Sequence, residues 1–492
     1  MDFKVTRFNQ DKLTCDTLVL TAWSEGVSGL RMSDQLCNGL VGRLWTKGKI
    51  SGKVEQVKVI YTETPWEQVV ILGLGEKDKF TGELARRCGA DLAETLTGLK
   101  SRKASLPVEF ENPAVTEAEA LEALVEGMIL GNYRFDKYRR EDGEQEEEPT
   151  VEILAEDASL DTLGGAVHRA VVLAEATNLA RDMVNEPGNK LTPAALAQRA
   201  QQVAAAYGLE CRVLGAEEIT GLGMGGLSGV TRGSAEEPRL IVLGYRGRGQ
   251  GKAVGLVGKG ITFDAGGISL KPVSGMEEMK SDMAGGAAVI AAMSAIARLK
   301  PVMDVTGVVP ACENLPGGSA LKPGDVIQIL DGTTVEIIST DSEGRLILAD
   351  GICYARRLGL EPVIDVATLT GACSVALGPV YTGLWSNSRE LQEKVLEASR
   401  SAGEKVWAMP YDRDYYELTE SRTADLKNSG GREGGACSAA AFLGHFAQET
   451  PWAHLDIAPT GFADNAQGYV KKGGTGAMVR TLARFVCRWT GE

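Results

Sequence analysis

The stretch that decides the fold reads Ser339-Thr340-Asp341-Ser342-Glu343-Gly344-Arg345-Leu346. Residues 335–338 before it are predicted as a strand, and residues 346–358 as a helix. Two carboxylates and a guanidinium therefore follow a strand end, where open α/β sheets place their ligand sites. In an extended segment Asp341 and Glu343 would point to the same side, because they are two residues apart. Such like charges need a nearby cation, so the sequence predicts a metal with oxygen ligands.

A second polar cluster lies in a glycine-rich loop that follows a predicted strand at residues 253–257. Its charged members are Lys259, Asp264 and Lys271. Taken singly, each has an ordinary explanation, since a turn accounts for an acid before glycine and a solvated surface accounts for a lysine. Asp282 is likewise explained, on its own, as the N-cap of a predicted helix.

The acids of the two stretches have a different interpretation when they are taken together. Four carboxylates fall at or near predicted strand ends of one α/β domain: Asp264, Asp282, Asp341 and Glu343. If they converge, their charge matches two divalent ions, and two metals about 3.5–4 Å apart can activate water and hold an oxyanion. Without a metal, carboxylates this close could not all stay ionised.

Composition limits the classes of partner. The chain has 492 residues and a net charge of −14, which argues against a non-specific grip on nucleic acid or on an anionic membrane. Its nine cysteines form no CxxC pair and fit reduced thiols in a cytosolic protein. Only three histidines are present, so a metal would depend mainly on oxygen ligands. The first residues lack the apolar core of a signal peptide, and no apolar run is expected to reach membrane length.

The predicted elements divide the chain into two α/β domains. Residues 1–160 form a smaller N-terminal α/β domain, residues 161–184 a linking helix, and residues 185–492 a larger C-terminal domain. In the larger domain strands and helices alternate, which predicts an α/β/α arrangement around a mostly parallel central sheet. A charged run at residues 137–148 is interpreted as a solvated loop.

These motifs resemble those of the cytosolic leucyl aminopeptidases, a family of two-metal peptidases. The family signature around the second acidic pair is Asn-Thr-Asp-Ala-Glu-Gly-Arg-Leu, and this chain departs from it at Ser339 and Ser342. Neither position supplies a metal-ligand side chain in the family, and the upstream order Lys, Asp, Lys, Asp also agrees. The resemblance covers nearly the whole of the larger domain, which it implies to be catalytic. It implies a metal-dependent aminopeptidase that releases N-terminal residues, preferably leucine and other apolar ones, from short peptides.

The resemblance also implies a role for each matching position. The metal ligands would be Lys259, Asp264, Asp282, Asp341 and Glu343. Lys271 would polarise the scissile carbonyl, and Arg345 would hold a bicarbonate that shuttles a proton. The nucleophile would be a metal-bridging hydroxide, while the free α-amine of the substrate coordinates one metal. The substrate-binding residues would be Met279, Thr368, Leu369 and Gly371.

Cofactors and assembly follow from the same resemblance. It implies two divalent metal ions per subunit, zinc or manganese, together with bicarbonate. It also implies a homohexamer of two stacked trimers in the cytoplasm, for which the N-terminal domain would serve assembly or regulation. The active sites would face an inner cavity, which limits the substrates to short peptides.

Several motifs have a structural interpretation instead. Residues 221–226 satisfy GxGxxG but follow no clear strand, so a flexible loop is predicted rather than a dinucleotide site. The glycine-rich residues 430–435 are predicted as a loop before a helix, although they also resemble a family loop near the active site. His454 is predicted as a satisfied core histidine on a strand rather than a metal ligand. Met279, without the resemblance, would be explained as ordinary core.

Two other function classes remain open on the residues alone. One is a different two-metal hydrolase such as a phosphoesterase, because carboxylates and metals also serve phosphoryl transfer. The other is a non-enzymatic binder, for instance a DNA-binding regulator, a second role that some bacterial relatives have. The net negative charge of the chain argues against DNA binding as its main role.

Overall fold

The computed structural model describes residues 1–9, 13–25, 39–62, 66–108, 110, 112, 114–139, 148–247, 249 and 251–489. The chain forms two compact units, Met1–Glu175 with Ala466–Lys471 and Ala176–Asn465 with Lys472–Glu492. The division falls inside a single continuous helix, Leu160–Asn185. The domain boundaries at residues 160 and 184 remain predictions.

The first unit contains a six-stranded sheet. Its strands are β1 (Asp2–Arg7), β2 (Thr17–Trp23), β3 (Val57–Tyr61), β4 (Gln68–Gly75), β5 (Lys103–Pro107) and β6 (Thr150–Ala155), and its helices are α1 (Leu40–Thr46), α2 (Gly82–Gly98) and α3 (Glu117–Gly131). The strand order is β1-β6-β5-β2-β4-β3, and only the pair β3–β4 is antiparallel. The predicted charged loop lies largely outside the described residues, while its described residues 137–139 and 148 are exposed.

The second unit contains the remaining elements. Its strands are β7 (Glu210–Leu214), β8 (Arg239–Tyr245), β9 (Val254–Gly258), β10 (Gly260–Asp264), β11 (Val305–Asn314), β12 (Val326–Gln328), β13 (Thr334–Glu336), β14 (Val363–Ala367), β15 (Thr382–Ser386), β16 (Val406–Ala408), β17 (Leu426–Lys427), β18 (Trp452–Asp456), β19 (Phe462–Ala463) and β20 (Gly473–Gly474). Its helices are α4 (Leu160–Asn185, shared with the first unit), α5 (Pro193–Tyr207), α6 (Ala216–Leu222), α7 (Gly225–Val230), α8 (Ala284–Leu299), α9 (Gly344–Arg357), α10 (Gly371–Leu377), α11 (Arg389–Ala402), α12 (Asp414–Glu417), α13 (Gly435–Ala447) and α14 (Val479–Arg488).

The centre of the second unit is a nine-stranded sheet in the order β16-β15-β18-β14-β9-β11-β8-β7, with β10 paired to β11. The central pairs β18–β14, β14–β9, β9–β11 and β10–β11 are parallel, which confirms the predicted mostly parallel sheet. Strands β9 and β14 are buried along their whole length. Apart from Asp365 on β14, both strands consist of apolar or small residues, because layers of structure cover both faces of a parallel sheet.

Helix α8 lies very close to the sheet because its first turn contains two consecutive glycines. A Cβ atom at Gly285 would lie 2.0 Å from the carbonyl oxygen of Val366 on β14, a contact that no side chain tolerates. The Gly286 N–H donates to the carbonyl oxygen of Lys259 at 2.7 Å. The backbone after β9 is thereby fixed between the sheet and the start of this helix.

Two predictions of local structure were wrong. The strand before Asp341 is the short β13, which belongs to a separate three-stranded sheet and not to the central one. A turn separates it from α9, so Asp341 and Glu343 do not lie in extended backbone. Residues 221–226 are not a flexible loop either, since they span the junction of helices α6 and α7.

The prediction that no apolar run reaches membrane length was wrong. The helical segment Met276–Leu299 is long and apolar enough to cross a membrane, by length and composition only. However, 83% of its apolar window is buried inside the protein. The segment is therefore a core helix, whose alanine and glycine residues serve close packing against the sheet.

Candidate metal centre

Three of the predicted acids converge at one end of the central sheet. Oxygen atoms of Asp264, Asp341 and Glu343 all lie within 4.8 Å of one another. Asp264 is the last residue of β10, and Glu343 directly precedes α9. Asp264 and Glu343 are buried, whereas Asp341 is exposed. Residues nearly 80 positions apart in the sequence thus form one acidic pocket.

Lys259 joins the fourth acid to this group. Its Nζ lies 2.7 Å from Asp282 Oδ2 and 2.9 Å from Glu343 Oε1, and it donates to the carbonyl oxygen of Thr368 at 3.0 Å. Asp282 lies in a 3-10 helix, Met276–Met283, and α8 begins after Met283 without a side-chain cap. The N-cap explanation of Asp282 is therefore wrong, and its carboxylate belongs to the pocket.

Lys271 bridges the other two carboxylates. Its Nζ lies 2.7 Å from Asp264 Oδ2 and 2.5 Å from Asp341 Oδ1. The lysines thus divide the four acids into two pairs, with one ammonium group between the members of each pair. The solvated-surface explanation fails for Lys259, which is buried, and Lys271 also turns inward to the acids.

The electrostatics of the pocket follow from burial and from this pairing. Burial raises the pKa of Asp264, and the nearby charge of Glu343 adds to that rise. Burial alone would also raise the pKa of Glu343, but Lys259 and Lys271 outweigh it and lower that pKa. Burial would lower the pKa of each lysine, yet the surrounding carboxylates outweigh it and raise both. Both lysines are therefore held as ammonium groups by the acids around them.

Sequence reasoning missed Asn314, which stands at the end of β11 and orients two of the acids. Its Nδ2 donates to Asp264 Oδ1 at 2.7 Å, to the carbonyl oxygen of Thr340 at 3.0 Å and to Glu343 Oε2 at 3.4 Å. The available signal was the polar pair Glu313-Asn314 at the end of a long apolar strand. The amide nitrogen carries two hydrogens for these three acceptors, so one hydrogen is shared, and the side chain links parts of the pocket that are distant in sequence.

The predicted substrate loop meets the pocket at Thr368. Its hydroxyl donates to Asp282 Oδ1 at 2.8 Å. A second missed residue, Asp456, holds the loop from β18, because its Oδ1 accepts from the Leu369 N–H at 3.1 Å. Its Oδ2 accepts from the Thr370 hydroxyl at 2.7 Å. Gly371 follows as the exposed first residue of α10.

Arg345 and Met279 lie on elements that also carry pocket acids. Arg345 is in the first turn of α9, two residues after Glu343, and only 7% of it is exposed. Burial lowers the pKa of Arg345 to about 10, so the guanidinium remains charged at neutral pH. Met279 lies on the 3-10 helix of Asp282 and is half-buried. The roles of both residues in binding or catalysis remain predictions.

The residues of the pocket fit a pair of cations. Each of two positive groups already lies between two carboxylates, at contact distances of 2.5–2.9 Å. The donor set consists of carboxylate oxygens and one amine, which suits divalent ions that accept oxygen ligands. The chemistry of the pocket thus agrees with a two-metal site.

Sequence models of one known family match both units. The model described as the catalytic domain of the cytosol aminopeptidase family matches residues 178–483, and that of its N-terminal domain matches residues 24–142. The chain belongs to the cytosol aminopeptidase family. The predicted family and the predicted two-domain α/β fold are thereby confirmed.

Individual known proteins resemble the chain over most of its length. A probable cytosol aminopeptidase of Solibacter usitatus (strain Ellin6076) is 46% identical over 91% of this chain and 92% of its own. The bottromycin maturation enzyme BotP in complex with Mn is 37% identical, with a TM-score of 0.85, over 96% of this chain and 99% of its own. A mutant of tomato leucine aminopeptidase is 30% identical, with a TM-score of 0.87, over 99% of this chain and 97% of its own.

Two structural interpretations concern residues outside the pocket. Residues 430–434 form a loop without regular structure, and α13 begins at Gly435. His454 lies on β18 and is 1% exposed, which confirms its predicted core position on a strand. Its Nδ1 bonds to Asp365, but its Nε2 is buried without a hydrogen-bond partner among the described residues, so the prediction of a fully satisfied histidine was wrong.

Proposed function

We propose that this member of the cytosol aminopeptidase family is a metal-dependent aminopeptidase that removes leucine and other apolar N-terminal residues from short peptides. The observation that carries the proposal is the pairing of four acids around two positive groups at the end of the central sheet. Family membership adds the class of reaction.

Two divalent ions would be held by Lys259, Asp264, Asp282, Asp341 and Glu343. Bound there, they would lower the pKa of a shared water and supply a hydroxide nucleophile at neutral pH. Lys259 would have to coordinate as a neutral amine, and a neighbouring dication favours the loss of its proton. Manganese and zinc are both compatible with these donors, and a similar protein has a solved complex with Mn.

Lys271 would act on the substrate carbonyl. Its ammonium group is held at the pocket by Asp264 and Asp341. Burial would lower its pKa, but the charges of Asp264, Glu343 and Asp282 outweigh burial and keep that pKa above the usual value. A positive group fixed here can stabilise the negative charge that develops on the carbonyl oxygen during attack.

Arg345 would hold an anion beside the reacting bond. Its Nη1 is buried and has no hydrogen-bond partner among the described residues, so one donor of the guanidinium is available. A bicarbonate bound to the guanidinium would act as a base that carries a proton toward the leaving amine.

Substrate selection would combine a free amine with an apolar pocket. A metal held by these residues would supply a ligand for the free α-amine of the substrate, which would limit cleavage to a single N-terminal residue. Met279, Thr368, Leu369 and Gly371 would line the site for the first residue. Thr368 contacts the ligand Asp282 directly, which supports its place beside the metals.

Elemental analysis of the purified protein, with chelation and metal restoration on leucine p-nitroanilide, tests the proposal. We expect two divalent ions per subunit and activity that returns with manganese or zinc. N-acetyl-leucine p-nitroanilide should not be cleaved, because it lacks the free amine. Cleavage of a phosphoester but of no amino-acid anilide would assign the site to the phosphoesterase class instead.

The proposal includes a cytoplasmic homohexamer. The cysteines that the structure describes are all free, which agrees with a reducing compartment. Analytical ultracentrifugation tests the assembly, and a sedimenting monomer would contradict it. DNA affinity that falls steeply with salt would reopen the DNA-binding class despite the acidic charge.

A further inference from the structure

The loop that carries Lys271 follows β10 and does not bury its larger apolar side chains. Ile268 is 46% exposed and Leu270 is 61% exposed. The loop closes on itself, because the Lys271 N–H donates to the carbonyl oxygen of Ala265 at 2.9 Å. A segment with few buried apolar contacts opens easily unless hydrogen bonds hold it. The position of this loop therefore depends on hydrogen bonds to its neighbours.

Thr340 makes such hydrogen bonds from the turn that carries Asp341. Its hydroxyl donates to the carbonyl oxygen of Gly266 at 2.6 Å and accepts from the Ser269 N–H at 2.8 Å. The Thr340 N–H in turn donates to Ser269 Oγ at 3.1 Å. Thr340 and Ser269 thus bind each other in both directions. We call these three hydrogen bonds, among Thr340, Ser269 and the Gly266 carbonyl, the loop clip.

The loop clip is buried and closely packed. Thr340 is 3% exposed, and a Cβ atom at Gly267 would lie 3.0 Å from its Oγ1 and 2.8 Å from Asn314 Oδ1. Gly267 also has a φ of 66°, in the left-handed region that residues with a side chain rarely adopt. Glycine at this position therefore lets the loop approach the Thr340 hydroxyl closely enough for the hydrogen bonds to form.

The segments that the loop clip joins also carry the two carboxylates that contact Lys271. Asp264 directly precedes the loop, and Asp341 directly follows Thr340. The Lys271 Nζ lies 2.7 Å from an oxygen of Asp264 and 2.5 Å from an oxygen of Asp341. A lysine ammonium sits on a flexible four-carbon stem, so its placement depends on where the backbone beneath it is fixed. The loop clip fixes that backbone two residues before Lys271.

We propose that Thr340 is a positioning residue, whose hydroxyl holds the Lys271 loop against the turn of Asp341 and thereby fixes the Lys271 ammonium group at the pocket. Thr340 acts through the loop clip and not by touching the reacting atoms. Any effect on turnover rests on the role of Lys271 under the proposed function, whereas the contact between Thr340 and the loop does not.

Hydrogen exchange of the manganese-loaded protein, measured by mass spectrometry, tests the contact. Thr340→Val keeps the shape of the side chain but removes both hydrogen bonds of the hydroxyl, so the amides of Ser269 and Lys271 should exchange on the order of 10-fold faster. Thr340→Ser keeps the hydroxyl and should keep the slow exchange. Thr17→Val, which removes a buried, hydrogen-bonded hydroxyl from β2 of the first unit, is the matched control. Wild-type exchange of residues 266–272 in Thr340→Val would overturn the proposal.

Kinetics with leucine p-nitroanilide test the consequence. In Thr340→Val kcat should fall about 10- to 100-fold with KM unchanged, because misplacing a reacting group by about 1 Å has a cost of this size. Thr340→Ser should restore most of the loss. Manganese affinity should stay at the wild-type value, since Asn314 still orients Asp264 and Glu343. A kcat near the wild-type value, or a loss confined to manganese affinity, would overturn the positioning role.

The double variant separates positioning of Lys271 from a general structural role. Thr340→Val combined with Lys271→Ala should lower kcat no further than Lys271→Ala alone, because the group to be positioned is already absent. Additive losses would overturn the positioning role. If Lys271→Ala itself leaves kcat unchanged, the role of Lys271 under the proposed function is wrong, and the hydrogen-exchange result alone decides the contact.

Ser269→Ala provides the same test if Thr340→Val does not fold. It removes the Oγ that accepts from the Thr340 N–H, at a half-buried position, and leaves the Thr340 hydroxyl in place. We expect faster exchange of the Lys271 amide and a lower kcat, both smaller in size than for Thr340→Val because two hydrogen bonds of the loop clip remain. Wild-type exchange and wild-type kcat in Ser269→Ala would then overturn the proposal.

Discussion

At the scale of single residues, Lys271 is distinguished from Lys259 by its partners. It lies between Asp264 and Asp341 and is partly open to solvent, whereas Lys259 is buried against Asp282 and Glu343. This difference agrees with one lysine that meets substrate and one that stays within the metal centre.

Lys271→Ala should keep the metals but lose turnover. Removing one preorganised positive group opposite a developing oxyanion costs about 100- to 1000-fold in kcat. Metal content by elemental analysis should be unchanged, and steady-state kinetics on leucine p-nitroanilide measure the loss. The exposed Lys322→Ala is the matched control. A kcat near the wild-type value would remove Lys271 from the mechanism.

Asn314→Leu should weaken metal binding rather than the chemical step. The substitution keeps the volume but removes the donors that orient Asp264 and Glu343. Loss of such a supporting contact lowers metal affinity about 10- to 100-fold. Titration of the metal-free protein with manganese measures the affinity, with the exposed Asn465→Leu as control. Wild-type affinity in Asn314→Leu would show that the acids need no such support.

At the scale of elements, features that follow from a local sequence pattern could be predicted, whereas features that depend on long-range contacts could not. The buried strands β9 and β14 were predictable because both faces are covered, which requires mainly apolar residues. Asn314 and Asp456 could not be assigned in the same way. Their partners lie 50 and 87 residues away, and no local pattern encodes such a contact. The turn after β13 was also not predicted, because the sequence of Asp341 and Glu343 is compatible with both an extended and a turned backbone.

Helix α9 is tied to neighbouring elements by the fully buried Asp350. Its Oδ2 accepts from the Leu227 N–H of α7 at 2.8 Å, and its Oδ1 accepts from the Leu330 N–H of the β12–β13 hairpin at 2.9 Å. Asp350→Asn replaces one acceptor oxygen by a donor and should destabilise the protein by about 1–3 kcal/mol. Urea unfolding monitored by circular dichroism measures the change, and unchanged stability would contradict this role.

The stability contribution of Asp350 should also depend on pH. Burial raises its pKa from 3.8 to about 7, so the folded protein binds this proton more tightly than the unfolded chain does. The contribution is therefore present at low pH and is lost as the pH rises from about 4 to about 7. Urea unfolding at several pH values should show the stability difference between wild type and Asp350→Asn decreasing across this interval. A stability difference between wild type and Asp350→Asn that grows with pH would contradict this prediction.

At the scale of the whole molecule, the acids of the candidate metal centre also oppose folding. The chain carries a net charge of −14, and four of its acids are concentrated in one pocket with only two lysines between them. Bound dications would neutralise that pocket in the folded protein alone, because the unfolded chain does not assemble it. Metal binding and folding of the second unit should therefore be coupled.

Manganese should raise the melting temperature of the second unit and leave the first unchanged. At a free metal concentration 100 times the Kd, one site that exists only in the folded state adds about 2.7 kcal/mol of stability. Differential scanning calorimetry of chelated and manganese-loaded protein measures the shift. Asp264→Asn should abolish most of it, because that residue contributes to the acidic cluster and contacts Lys271. An equal shift of the melting temperature in wild type and Asp264→Asn would mean that the metal binds and stabilises the molecule elsewhere, and it would contradict metal binding in this pocket.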